Sequence, residues 1–237
     1  MPVYRLAAEN TAFPDPCEAE ADGLLAAGGD LSPPRLLEAY KRGIFPWHTL
    51  GNMPLWWTPD PRCILLPEEL RMPRSLKRAL RAEPFIFRFD TAFSEVIRAC
   101  AEPRKGQAGT WLSPDMIAAY ERMHRLGLAH SVEALRDGRT AGGLYGLALG
   151  GVFFGESMFH READASKAAF VFLVGELAKN SFSLVDCQQT TPHMLCFGAK
   201  EVSRAEFMVR LAAGLRQPTR RGSWAQGIDS ACAPAAT

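Results

Sequence analysis

Apolar and polar positions change rhythm repeatedly along the chain, and the changes mark its elements. Three β-rich runs follow one another at 129–136, 139–149 and 152–158, parted by Asp137-Gly138 and Gly150-Gly151. Both pairs tolerate positive φ, so the runs predict an antiparallel meander. Helical spacing of Phe170, Leu173, Val174 and Leu177 then predicts a helix over 165–179. Upstream, strands at 62–66 and 85–89 alternate with helices at 74–82 and 91–100. Another helix is capped by Ser113, opened by Pro114 and stopped by Gly127. Beyond 179 come a strand at 182–188, a short helix near 191–197, a strand near 199–203 and a closing helix to Leu215. The first 60 residues hold one clear helix, with Ser32 as its cap, Pro33 and Pro34 in the first turn, an apolar stripe of Leu36, Leu37 and Tyr40, and Gly43 as its end.

This order predicts an α+β fold. A small N-terminal domain is expected over 1–61, and a larger domain with a mixed, mostly antiparallel sheet over 62–217. The Trp56–Arg62 stretch reads as their junction, and residues 218–237, rich in Ala, Pro, Gly and Ser, as a flexible tail. A long helix after a meander, with a strand behind it, resembles the GNAT acyltransferase fold; that likeness concerns the fold alone.

Composition narrows the classes of function. The 237 residues carry 27 Lys+Arg against 26 Asp+Glu, a net charge of +1, which excludes a protein coated in positive surface. The charge is unevenly spread. Residues 1–38 hold seven acids and two bases, whereas 71–81 hold five bases and no acid. Arg74, Lys77, Arg78 and Arg81 fall on one helix face, either a solvated face or a contact for phosphates. The longest apolar run, Ala168 to Gly175, is far too short for a membrane span, and no secretory signal is visible, so the cytoplasm is expected. Six scattered cysteines (17, 63, 100, 187, 196 and 232) show no metal-ligand spacing and read as reduced thiols.

Three polar residues interrupt apolar strands. Asp186 and Gln188 share one face of the 182–188 strand because side chains alternate with period two, and Glu156 stands in Phe153-Phe154-Gly155-Glu156-Ser157-Met158-Phe159. Asp186 could accept a proton or hold an ammonium with Gln188 orienting it, or the two could form a strand-end polar pair. A carboxylate in the company of Glu156 must be paired, for instance with an Arg, or functional. An apolar cluster of Leu144, Phe153, Met158, Phe170, Leu173, Leu177 and Val185 borders these acids and reads as core or as a side-chain pocket. Trp47, Trp111, Tyr40 and Tyr120 are rings on which an unpaired base could stack. The turn His160–Lys167 has two acids and no glycine, a poor cradle for the pyrophosphate of CoA.

The stretches GLLAAGGDLSPPRLLEAYKRGIFPW (23–47), WWTPDPR (56–62), RSLKRAL (74–80), GTWLSPDMIAAYERMHRLGLAHSVE (109–133), GGLYGLALGGVFFGESMF (142–159), ASKAAF (165–170) and LVDCQ (184–188) together resemble the leucyl/phenylalanyl-tRNA protein transferase family. The resemblance runs from about Phe13 to Leu211. It implies transfer of Leu or Phe, and less readily Met, from aminoacyl-tRNA to the N-terminal amine of proteins beginning with Arg or Lys, marking them for N-end rule degradation. It implies a cytoplasmic monomer with a GNAT-like domain that needs neither metal nor CoA. By the same resemblance Trp47 and Trp111 hold the 3' adenosine, with Tyr40 and Tyr120 in the same aromatic surroundings. The seven apolar residues shape the pocket for the transferred side chain, and Arg74, Lys77, Arg78 and Arg81 meet the acceptor stem. Asp186 and Gln188 match a catalytic pair and Glu156 a site acid.

Overall fold

The computed structural model describes residues 3–51, 53–103, 110 and 112–225. Two sheets organise it. The first, ordered β1-β2-β4-β3, comprises β1 (Tyr4–Leu6), β2 (Leu24–Gly28), β3 (Phe45–Leu50) and β4 (Met53–Trp57), with helix α1 (Pro33–Lys41) between β2 and β3. Only α1 was legible here from apolar spacing. The strands are three to six residues long, and register shifts interrupt β2 against β4 and β3 against β4, so no run keeps a period of two. Ser32 stands at the N-cap of α1 as expected, but its side chain makes no capping hydrogen bond.

The larger sheet is ordered β11-β5-β10-β9-β8-β7-β6. Its strands are β5 (Arg62–Leu65), β6 (Ile86–Phe89), β7 (Ala129–Arg136), β8 (Arg139–Leu149), β9 (Val152–His160), β10 (Leu184–Gln188) and β11 (Lys200–Val202). Neighbours run antiparallel except β9 and β10, a parallel pair joined by helix α5 (Ala165–Lys179). The remaining helices are α2 (Arg74–Ala82), α3 (Phe93–Ala101), α4 (Pro114–Arg125), α6 (Pro192–Leu195) and α7 (Arg204–Leu215). Ser113 caps α4 as its sequence suggests, its hydroxyl accepting from the Met116 amide at 3.3 Å.

Both faces of the large sheet are covered, which is why β8 is almost continuously buried instead of alternating. On one face α3, α4 and α7 join the N-terminal sheet in a single apolar cluster that includes Leu25, Tyr40, Trp56, Tyr120, Tyr145, Phe154 and Phe207. On the other, α5 and α2 lie over Leu65, Leu144, Phe153 and Val185. Ten of the fifteen residues of α5 are buried, because neighbours enclose it beyond its sheet-facing stripe.

The stretch after residue 217, expected to fray, is anchored at Thr219 and Trp224 among its described residues. Trp224 is 3% exposed, stacks on the His130 ring at 3.8 Å and meets Phe89 and Phe182 edge-on. Its amide donates to Asp90 Oδ2 at 2.8 Å, and Gly150 N donates to Thr219 Oγ1 at 2.9 Å. A Cβ on Gly127 would lie 2.1 Å from the Gly222 amide nitrogen, so the tail rests directly on the α4–β7 turn. Among the described residues no helix is long and apolar enough to cross a membrane.

Candidate active site

The parallel partners β9 and β10 stay in register only as far as Phe154 and Asp186. Each strand then carries one extra residue. In β9, Gly155 and Ser157 face Gly146 and Tyr145, which leaves Glu156 as the bulge. In β10, Asp186 and Gln188 face Ile64 and Cys63, which leaves Cys187 as the bulge. Bulges re-aim side chains and end pairing, so the two strands part where the polar residues gather.

Glu156 is the centre of that gathering. Its Oε1 lies 2.7 Å from the Tyr40 hydroxyl and 2.9 Å from Gln188 Nε2, its Oε2 lies 2.7 Å from the Tyr120 hydroxyl, and the two hydroxyls are 2.7 Å apart. Three oxygen-bearing groups in a closed ring of three contacts need three protons. The tyrosines supply two, so an ionised Glu156 leaves one contact without a hydrogen, whereas a protonated Glu156 completes the ring. Burial of the carboxyl points the same way: desolvation raises its pKa from 4.5 to about 7, with Asp186 adding to the rise and Tyr40, Tyr120 and Gln188 opposing it. The residue as a whole keeps some exposure, while its carboxyl is enclosed by Tyr40, Tyr120 and Gln188. Burial and the neighbouring carboxyl push both tyrosine pKa values well above 10.0, which keeps their hydroxyls protonated.

Asp186, expected to accept a proton or hold an ammonium, is engaged by an arginine. It is fully buried, and Arg62 grips both its oxygens, Nε to Oδ1 at 2.8 Å and Nη2 to Oδ2 at 2.7 Å. The guanidinium lies 4.7 Å from the Phe45 ring and 4.5 Å from that of Phe207. A carboxylate removed from water needs such a countercharge, and the pair leaves Asp186 little call for another cation. Regular alternation does not join Asp186 to Gln188 either. The bulge at Cys187 breaks it, and Gln188 adopts φ 61°, a left-handed conformation held by its amide donating to Asp186 Oδ1 at 2.9 Å. Asp186 is thus an anchor for the turn that aims the Gln188 amide at Glu156.

Tyr40 and Tyr120 are 1% and 0% exposed, so neither offers an open ring face for stacking; they act through their hydroxyls beneath the carboxyl. Trp47 lies on β3. It is half-buried in the N-terminal sheet, packed against Trp57 and His48. Trp111 lies outside the described residues. Leu144, Phe153, Phe170, Leu173, Leu177 and Val185 are buried in the second cluster, and Met158, at its border, is half-exposed. In α2, Leu76 and Leu80 are buried while Arg74, Arg78 and Arg81 are exposed and Lys77 is half-buried. Arg62 was missed as a site residue. The available signal was the charge of Asp186, which in an apolar strand demands a cation, and Arg62 ends the Trp-Trp-Thr-Pro-Asp-Pro-Arg run.

A buried carboxyl with a pKa near 7 can take or give a proton at neutral pH, and the paired hydroxyls and the Gln188 amide fix its orientation. Comparison with known proteins bears on what such a site serves. The description Leucyl/phenylalanyl-tRNA protein transferase matches residues 64–212, and that of its N-terminal domain matches residues 29–60. Relatives called leucyl/phenylalanyl-tRNA–protein transferase are 57% identical in Nitratidesulfovibrio vulgaris (strain DP4), over 94% of this chain and 96% of the relative, and 52% identical in Magnetococcus marinus, over 94% and 97%. Among solved structures, a GCN5-related N-acetyltransferase from Kribbella flavida overlaps 72% of this chain and 61% of its own at 10% identity and a TM-score of 0.36, too loosely to bear on fold or function. The match across nearly the whole sequence shows that this chain belongs to the leucyl/phenylalanyl-tRNA protein transferase family.

Proposed function

We propose that this enzyme moves leucine or phenylalanine, and methionine less readily, from aminoacyl-tRNA to the α-amine of proteins beginning with Arg or Lys, as a cytoplasmic monomer that marks them for N-end rule degradation. Family membership makes it an aminoacyl-tRNA-dependent transferase acting on protein. The observation that carries the finer reading is the Glu156 carboxyl with its pKa near 7, ringed by Tyr40, Tyr120 and Gln188.

The reaction is aminolysis of an ester: a C–N bond forms, the C–O bond to the terminal ribose breaks, the amine loses a proton and the ribose oxygen gains one. The ester is already activated, so positioning and one well-matched proton acceptor suffice. A free α-amine has a pKa of about 7.7–8.0, close enough to that of Glu156 for transfer between them to be nearly balanced. Arg62 neutralises Asp186, so Glu156 is the acid free to respond to the acceptor. An Arg or Lys side chain nearby favours the ionised carboxyl, and that form takes the proton. The acceptor's own charge thereby prepares its base. Trp47 and Trp111 stack the 3' adenine, Arg74, Lys77, Arg78 and Arg81 meet acceptor-stem phosphates, and Met158 stands at the mouth of the apolar cluster that receives the transferred side chain.

Labelled Leu-tRNA with peptides starting with Arg, Lys or Ala tests the reading. Transfer to the first two alone is expected, and equal transfer to the third overturns it. With Arg-starting peptides the acidic limb of the kcat profile should lie below pH 7; a limb unmoved from that of a norleucine-starting peptide refutes the charge coupling.

A further inference from the structure

Two thiols sit directly behind this site. Cys63 on β5 is the register partner of Gln188, and Cys187 is the extra residue of the β10 bulge just before it. Both belong to the second apolar cluster, on the sheet face opposite the Arg62–Asp186 pair. In a bulge two residues of one strand oppose one on its neighbour, so Cys187 and Gln188 together stand across from Cys63, and the roughly 4.7–4.9 Å between neighbouring strands is within the roughly 4.4–6.8 Å Cα separation that a disulfide spans. The two thiols perturb each other's ionisation, as Thr190 perturbs that of Cys63, and the Cys187 thiol donates to the Val185 carbonyl at 4.0 Å. Cys63 is fully buried, Cys187 half-buried and Thr190 exposed, so solvent reaches the pair from the end of β10.

We propose that Cys63 and Cys187 form an oxidation site that reacts with a hydroperoxide and closes to an intramolecular disulfide, shutting the neighbouring carboxyl site. Contact with Cys187, helped by Thr190, pulls the Cys63 thiol pKa down, while contact with Cys63 and burial push that of Cys187 up, so the first proton leaves the pair from Cys63 and the second stays on Cys187. Cys187 is the sulfur a hydroperoxide reaches. As the peroxide approaches, the proton on Cys187 passes to the Cys63 thiolate, and attack of the Cys187 sulfur so freed on the outer peroxide oxygen forms an S–O bond, breaks the O–O bond and releases an alkoxide, which takes up a proton as the alcohol. The Cys63 thiolate then attacks the sulfenic sulfur; the S–S bond forms, the S–O bond breaks and water leaves. Two thiols and one hydroperoxide give one disulfide, one alcohol and one water. The link draws the bulge toward β5, and Gln188 moves with it, away from Glu156 on β9, to which it is bonded at 2.9 Å.

Loss of transfer rests on the proposed function; formation of the bond does not. The reduced full-length protein is treated with hydrogen peroxide, its remaining thiols are blocked and its peptides are mapped by mass. A linked peptide containing Cys63 and Cys187 is expected, lighter by two hydrogens. Transfer should fall about a hundred-fold, as for a misplaced site group, and return with dithiothreitol. Cys63→Ala and Cys187→Ala should each keep their transfer rate through the same treatment. The oxidation site is refuted if Cys63 and Cys187 remain free thiols while the exposed Cys17 and Cys196 are oxidised, and the shut-off is refuted if the link forms and transfer is unchanged. An untreated protein that transfers nothing speaks against the proposed function, and the linked peptide then still decides the oxidation site.

Discussion

Replacing Glu156 with Gln tests the closed ring of protons. Glutamine is nearly isosteric with a protonated glutamate and is neutral at every pH. Its oxygen can accept from Tyr40 and Gln188, and its NH2 can donate to Tyr120, which repeats the arrangement inferred for the neutral acid. In the parent protein the carboxyl keeps its proton up to about pH 7, whereas the unfolded chain releases it near 4.5. Between those values the folded state binds the extra proton, so its stability falls as pH rises through the window and levels off above it. The gap is worth about 3 kcal/mol at roughly 1.4 kcal/mol per pH unit. Urea denaturation of parent and Glu156→Gln at pH 5 and pH 8 reads it as a double difference, in which every other titrating group cancels. The variant should match the parent at the lower pH and exceed it by up to about 3 kcal/mol at the higher, while its transfer rate falls because an amide accepts no proton. A variant destabilised equally at both pH values would refute the neutral ring.

Arg62→Met should cost about 3–5 kcal/mol in denaturant unfolding by stranding the Asp186 charge, and adding Asp186→Leu should recover most of it; a single variant as stable as the parent would contradict the buried pair. Reversing Arg74 and Arg78 to Glu should raise the KM for charged tRNA and flatten its log–log salt dependence by about 0.9 per lost phosphate contact, with kcat and the melting temperature unchanged because both side chains are exposed. An unaltered salt slope would remove α2 from the tRNA contact. Trp224→Ala should lose about 3–5 kcal/mol, a fall of roughly 10 °C in melting temperature for a chain of this size. If truncation after residue 217 leaves melting unchanged, the packed tail contributes nothing.

What the sequence disclosed follows from where its signals are local. The meander and α5 stand out because glycine turns and long apolar runs bracket them, and α2 because Leu76 and Leu80 oppose its arginines. The N-terminal sheet stayed hidden because its short strands change phase at bulges. The packing of Trp224 was masked by the small residues that follow it. At the site, Glu156, Asp186 and Gln188 were conspicuous as polar residues in apolar strands. Their division of labour was not, because Arg62 lies 124 residues from Asp186 in sequence and the phase of β10 shifts at Cys187. Tyr40 and Tyr120 were noticed as rings, whereas the fold uses their hydroxyls.

The extra residue in β9 has a consequence for how this family can vary. Phe154 and Phe159 both enter the first core, and Phe153 and Met158 both meet the second, although five positions separate the members of each pair. In an unbroken strand an odd spacing would turn them to opposite sides. Glu156 is therefore also a spacer that keeps the two halves of the strand in phase. A substitution there leaves the phase of the strand intact, but loss of its codon would turn Met158 and Phe159 inside out. The position is open to point change and closed to deletion, so its acid can be exchanged in evolution or design only while the length of the chain is held.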